Sequence, residues 1–447
     1  MESRPNEMKK NMGVMSAISI VVGCVIGAGV FFKPHAIYQA TGGAPGLGLL
    51  SWIIGGLISI FGALTFAEIA VLIPRTGGMV TYLGEVYDRR IGFLAGWMQV
   101  VIFYPAYLAG YGVKVGTELS GLLGVNISLP VGILVIAGVV ALNVLGSGSA
   151  SRFQILSTAC KLIPLALIIA AGMLLGKSRE PLFTPMVGEG TGAASALGTT
   201  LLAVLFAFEG WTNVGAIAGE MKRPARDLPR AIVGGVSIIM AVYLLINIAY
   251  LRVIPANELM SLESPASAVA TKLFGSAGGT IIAVGIIISV IGAGNGFLLS
   301  GSRVAYYLAK EGMLPGKKQL ARLNERLVPA NAIILVGTLA ALYSLIGQFD
   351  LLTDMGTFSC WIFYTLTFCC VIRMRRTHPD MERKYRVPGY PVIPLLAIAS
   401  GLYVIASQLF LSGSRGRIMA LASVGITLIG LPVYLAVLKK AGKPSGR

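Results

Sequence analysis

Ile26-Gly27-Ala28-Gly29-Val30 interrupts the first long apolar segment of the chain, near the depth at which a bilayer midplane would lie. A glycine inside a helix costs about 1 kcal/mol relative to alanine. Non-helical backbone is tolerated in hydrocarbon only where it is buried in protein or lines a cavity. A break at this depth therefore predicts a site built from peptide groups, holding a small polar solute inside a membrane.

The composition points the same way. Of 447 residues, 55% are hydrophobic and 12% charged, with a mean hydropathy of +0.79, more apolar surface than a globular fold can bury. The expected fold class is an all-α polytopic membrane protein. Spans need about 20 apolar residues, and twelve are expected, at roughly 14–33 (continuing to 41), 47–73, 91–117, 129–146, 154–175, 194–219, 231–252, 278–308, 330–348, 352–373, 391–412 and 418–438. The first of these is long, glycine-broken and followed by Phe32-Lys33-Pro34, so it is not expected to be a cleaved signal peptide. No soluble domain stands apart; residues 1–447 form one domain.

Basic residues set the expected orientation. Twenty-seven of the 36 lysines and arginines fall on one side of such a topology, eight, including Lys33 and Lys114, on the other, and Lys161 lies within a span. With twelve spans, both termini are cytoplasmic in the cell membrane. The +17 formal charge is a product of this asymmetry rather than a nucleic-acid signature. All five cysteines lie in or at the ends of spans, as small packing residues rather than a disulfide framework. His35 and His378 stand alone near span ends; no metal or cofactor is expected. Residues 316–328, with leucines at helical spacing between basic residues, predict a connector helix on the membrane surface.

A second interruption, Phe206-Ala207-Phe208-Glu209-Gly210-Trp211-Thr212-Asn213, falls in the sixth span. Five-span spacing with opposite starting sides predicts an inverted repeat, 14–175 and 194–373, with 391–438 appended. Opened at Gly27, Ala28 and Gly29, the first span offers N–H groups and a positive dipole end to an anion. Carbonyls near Val25, Ile26, Phe206 and Ala207 offer the opposite polarity. One site with both poles matches the zwitterionic backbone of an α-amino acid.

Lys161 lies nine residues after Arg152, about 13 Å along a helix, close to mid-membrane. A lysine there costs about 2.5–3.5 kcal/mol and should face the bundle interior, bonded to carbonyls or hydroxyls. It either acts as a built-in cation tying span five to the broken span one, or carries a proton each cycle. Ser289 and Asn295 are candidate partners. Glu209 could titrate, cap freed N–H groups or gate the outside; Trp211 is a natural lid. Tyr243 and Asn247, one turn apart, could face the cavity. Glu68 and Glu220 could form gating salt bridges with Arg75 and Lys222.

These residues resemble the amino acid-polyamine-organocation superfamily and, within it, the L-amino acid transporter family. The matching motifs are residues 21–31, Ala67-Glu68-Ile69 with Ile73-Pro74-Arg75-Thr76-Gly77-Gly78, Gly96-Trp97, Lys161-Leu162-Ile163-Pro164, Phe206 to Trp211, Gly219-Glu220-Met221-Lys222-Arg223-Pro224 and Leu228-Pro229-Arg230-Ala231. The chain looks most like bacterial alanine-serine-cysteine and serine/threonine exchangers. The resemblance implies a LeuT-like five-plus-five fold with helices 1 and 6 broken, alternating access, and sodium-independent exchange of neutral L-amino acids. It maps the carboxylate site onto Gly27, Ala28 and Gly29, the ammonium-binding carbonyl onto Phe206, the span-five lysine onto Lys161 and a substrate-side tyrosine onto Tyr243. Eukaryotic members join a heavy subunit through a cysteine between spans three and four. Residues 118–128 contain none, so a subunit working without that partner, functional as a monomer, is expected.

The expected function is exchange of small neutral L-amino acids. Proton-coupled symport through Lys161 or Glu209 is the rival. An ion channel or a non-transporting sensor is a remote alternative, and no catalytic pair at depth suggests an enzyme.

Overall fold

The computed structural model describes residues 14–440 apart from 74, 76 and 214–222, and every regular element among the described residues is a helix. α1 (Val14–Val25) and α2 (Gly29–Ala40) flank the first break. They are followed by α3 (Pro45–Leu72), α4 (Met79–Val86), α5 (Arg89–Met98) and α6 (Tyr104–Leu123). A π-helical turn at Gln99–Phe103 joins α5 to α6 in one long rod. α7 (Ser128–Val144), α8 (Ser147–Leu175) and α9 (Ala193–Ala207) follow. Beyond the second break come α10 (Pro224–Val253), α11 (Ala256–Leu259), α12 (Pro265–Lys310), α13 (Lys317–Leu320), α14 (Ala330–Ser344), α15 (Phe349–Thr377), α16 (Val392–Ala406) and α17 (Ser414–Lys440).

Local chemistry sets the ends. Proline begins α3, α10 and α12, where its missing N–H costs nothing. Asp88 caps α5 by accepting from the Arg90 N–H at 2.6 Å. Gly275, at φ 71°, kinks α12, close to the expected start of that span at 278. Among the described residues, seven helical segments are long and apolar enough to cross a membrane, and Ser128–Val144, Cys160–Leu175, Ala193–Ala207 and Ala330–Ser344 are shorter apolar helices. Leu174 and Phe410 are 83% and 74% exposed, and an apolar exterior of this kind requires lipid rather than water.

Loops gather at two faces. At one, Gly188 N–H donates to Thr41 O at 2.8 Å and Leu47 N–H to Met186 O at 3.0 Å, so the α8–α9 connection covers the α2–α3 turn. At the other, which carries most of the basic residues, Asn324 Nδ2 donates to Val144 O at 3.2 Å.

The connector helix expected over 316–328 is confined to one turn, Lys317–Leu320. Asn324 Oδ1 accepts from the Arg326 and Val328 N–H groups, and Leu327 takes φ 57°; these side-chain bonds offer the backbone an alternative to a helix. Glu68 does not pair with Arg75. Arg75 reaches Glu85 at 2.6 Å, and Glu68 pairs with Arg375, 307 residues away. Glu220 and Lys222 lie outside the described residues.

Candidate functional site

The two breaks meet. Residues 26–28 leave the helical path between α1 and α2, and α9 ends at Ala207 ahead of Gly210, whose φ is 121°. A Cβ added to Gly29 would stand 2.5 Å from Ala207 Cα. Only a residue without a side chain allows this approach. At Gly27 an added Cβ would meet nothing nearer than Val25 O at 3.7 Å. The N-terminus of α2 and the C-terminus of α9 are thereby brought together, a positive and a negative dipole end side by side.

Lys161 reaches this junction from α8. Its Nζ donates to Gly23 O at 2.7 Å and Ile26 O at 2.5 Å, and the residue is 5% exposed. Those carbonyls lie at the C-terminal end of α1, where helical acceptors have no internal partner and a cation is favoured. Packing fixes the lysine's height: Gly292 accommodates Ser157, and Gly285 takes Pro164 Cγ 2.8 Å from where a Cβ would stand. The glycines of α12 thus seat α8 on both sides of Lys161. Ser289 and Asn295 are not its partners. Ser289 Oγ is buried without a hydrogen bond, and Asn295 Oδ1 accepts from Asn143 at 2.8 Å.

Tyr243, in α10 and wholly buried, donates its hydroxyl to Ala207 O at 3.0 Å and approaches Val25 O at 3.3 Å. It therefore spans both breaks. Asn247 donates back to Tyr243 O within its own helix. The Phe206 carbonyl accepts from Glu209 N–H at 3.2 Å. Ile26 O thus accepts from Lys161, Phe206 O from Glu209 N–H and Ala207 O from Tyr243, whose single proton Val25 O can only share, so these carbonyls keep acceptor capacity.

Glu209 is 5% exposed. Its Oε1 accepts from Tyr364 at 2.7 Å and from Gly210 N–H at 3.3 Å; its Oε2 is buried with no hydrogen bond. Trp211 packs between Phe66, Tyr364 and Phe368, with ring centroids at 5.6, 4.9 and 6.2 Å. Phe206 lies against Tyr107 and Phe349 at 4.9 and 5.7 Å.

Sequence reasoning missed two ionic centres. Lys33, assigned to the basic residues of the sparser side, is wholly buried in α2. Its Nζ lies 2.9 Å from Asp350, 2.8 Å from Asp354 and 2.9 Å from Thr353 Oγ1. Two aspartates one turn apart at the edge of an apolar segment were the available signal. At the basic face, Glu68 takes Arg375 bidentately at 2.8 and 2.6 Å and accepts from Val387 N–H at 2.6 Å. Tyr385 bonds Leu64 O at 3.2 Å, and burial raises its hydroxyl above the usual tyrosine pKa.

A cavity of about 590 Å³ opens at the basic-poor face, lined in part by His35, Lys114, Asp350 and Asp354, and none of residues 26–29 or 206–209 lines it. The chemistry of the breaks therefore lies beneath the cavity, not in it.

A model of the amino acid permease family matches residues 12–437. The chain is 38% identical to the serine/threonine exchanger SteT of Bacillus subtilis over 98% of its own length and 99% of that protein. It is 31% identical to the human b(0,+)-type amino acid transporter 1, over 91% and 84%, and 28% identical to the human cystine/glutamate transporter, over 96% and 85%. These relatives are transporters and exchangers rather than enzymes. The chain belongs to the amino acid permease family of the amino acid-polyamine-organocation superfamily.

Proposed function

We propose that this protein exchanges small neutral L-amino acids, of the alanine, serine, cysteine or threonine kind, by alternating access and without sodium. The observation that carries the reading is the Lys161 ammonium on the Gly23 and Ile26 carbonyls. A fixed cation at the end of α1 supplies the charge that a bound sodium would otherwise bring to freed carbonyls. The substrate carboxylate binds the N–H groups of Gly27, Ala28 and Gly29 at the start of α2. Its ammonium binds the carbonyls of Ile26, Phe206 and Ala207. Ala28 and Ala207 keep the pocket compact, which favours small side chains. The Bacillus relative is a serine/threonine exchanger, which supports the same class.

The topology belongs to this reading: twelve spans in a LeuT-like five-plus-five inverted repeat, both termini cytoplasmic, a plasma-membrane monomer with no heavy subunit. Counterflow in liposomes tests it. Labelled serine should enter only when unlabelled substrate is inside, equally in sodium and in choline. Net uptake into empty liposomes would count against exchange.

A second reading is carried by Glu209, whose Oε2 has no bond at the second break. A carboxyl there could take up a proton with each substrate. Uphill uptake driven by an imposed pH gradient would favour it.

A further inference from the structure

Between the cavity at the basic-poor face and the helix breaks lies an ionic centre. Asp350 and Asp354 line the cavity, with side chains 36% and 20% exposed, whereas Lys33, which binds both, is 0% exposed. On its other side the Lys33 ammonium stands 5.0 Å from the centroid of the Phe206 ring, at the second break. Phe349 closes the same layer, 5.9 Å from Phe32 and 5.7 Å from Phe206. A solute passing from the cavity to the breaks must part Lys33 from its carboxylates.

The elements joined are also the right ones. Lys33 lies one turn beyond Gly29 on α2, the short helix whose start is the break; the aspartates begin α15. All three ammonium protons have acceptors, Asp350, Thr353 and Asp354. Removing charges from water costs several kcal/mol per ion, and apolar packing joins two helices as well or better, so such a centre is best explained as a switch. Water from the cavity can resolvate the carboxylates as the pair opens. Lys114 takes no part in the pairing: it lies 4.6 Å over the Phe32 ring and donates to Glu263 O.

We propose that Lys33, Asp350 and Asp354 form the ionic gate between the outer cavity and the helix breaks, closed as described here and opened by separation of α2 from α15. The proposal rests on the transport reading above.

The test places a reporter thiol below the gate. Thr357 lies one turn past Thr353 on α15, wholly buried, its hydroxyl 2.7 Å from Tyr107. In a background with the native cysteines replaced, Thr357→Cys is labelled by a membrane-impermeant methanethiosulfonate applied outside. Lys33→Met should raise the labelling rate at least about fivefold by populating the open state. Asp350→Asn and Asp354→Asn should give smaller rises, and Lys33→Arg should restore slow labelling. Should Lys33→Met fail to fold, the two aspartate variants carry the test. Labelling at the parent rate in every folded variant overturns the gate. Counterflow by the unaltered protein is measured first; its absence refutes the transport reading, whereas intact counterflow with unchanged labelling of the reporter variants refutes only the gate.

Discussion

Gly29 and Ala207 touch backbone to backbone: a methyl group on Gly29 would stand 2.5 Å from both Cα and Cβ of Ala207. Two residues away, Gly27 borders open space, with Val25 O at 3.7 Å the nearest atom to such a methyl. The glycines of one short motif thus have separate physical tasks, one permitting contact between the breaks and the other leaving peptide groups accessible.

Substitution should separate those tasks. Gly29→Ala should cost about 1–3 kcal/mol by overpacking, read as a lower unfolding temperature in detergent. Gly27→Ala should leave stability within about 0.5 kcal/mol and raise the half-saturating serine concentration. Equal destabilisation by both would refute the distinction.

Lys161→Met removes the ammonium that donates to the Gly23 and Ile26 carbonyls. Leaving buried acceptors unpaired costs about 1–3 kcal/mol each. Counterflow should fall at least about tenfold, the equivalent of 1.4 kcal/mol, and added sodium should not restore it. Wild-type transport by this variant would sink the built-in-cation role.

Tyr243→Phe keeps the ring, which packs on Trp52 and Phe208 at 5.2 and 5.1 Å, and deletes the hydroxyl shared between Ala207 O and Val25 O. The two breaks then lose a common donor. Substrate half-saturation should change several-fold while the unfolding temperature falls by the equivalent of about 1 kcal/mol. An unchanged half-saturation would place the substrate away from this hydroxyl.

Glu209→Gln retains an acceptor for Tyr364 and removes the titratable proton. Exchange should persist, and uptake under a pH gradient should equal that without one. Loss of gradient-driven uptake in the variant, with that uptake present in the parent, would establish proton coupling.

Glu68→Gln breaks a buried pair, leaving Arg375 without its bidentate partner. Such truncations cost about 3–5 kcal/mol, so the variant should unfold at markedly lower temperature; unchanged stability would show the pair to be dispensable.

The breaks were legible because glycine and polar residues inside apolar runs violate a strong local rule. Lys161 was legible as a buried cation for the same reason, although the candidates named for it were side chains of α12 and not the Gly23 and Ile26 carbonyls that it reaches. Lys33 was not, since a lysine ahead of Pro34 at a span end reads as interfacial; its burial depends on Asp350 and Asp354, over 300 positions away. The Glu68 partner was misread because Arg75 is near in sequence and Arg375 is near only in space. Ser289 and Asn295 had the right helix but the wrong contact, as it is Gly285 and Gly292 that meet α8. Side-chain turns at Asn324 overrode a helical leucine pattern that was otherwise clear.

α15 carries acid in its first turn, at Asp350, and base in its last, at Arg375 and Arg376. This is the arrangement that a helix macrodipole stabilises, by about 0.3–1 kcal/mol per exposed charge and more when partly buried. Asp350 therefore keeps a favourable electrostatic environment of its own when Lys33 withdraws, and Arg375 does likewise if Glu68 moves. A helix whose terminal charges are matched to its own field can release a partner at either end without stranding an ion, which makes each contact reversible over many transport cycles.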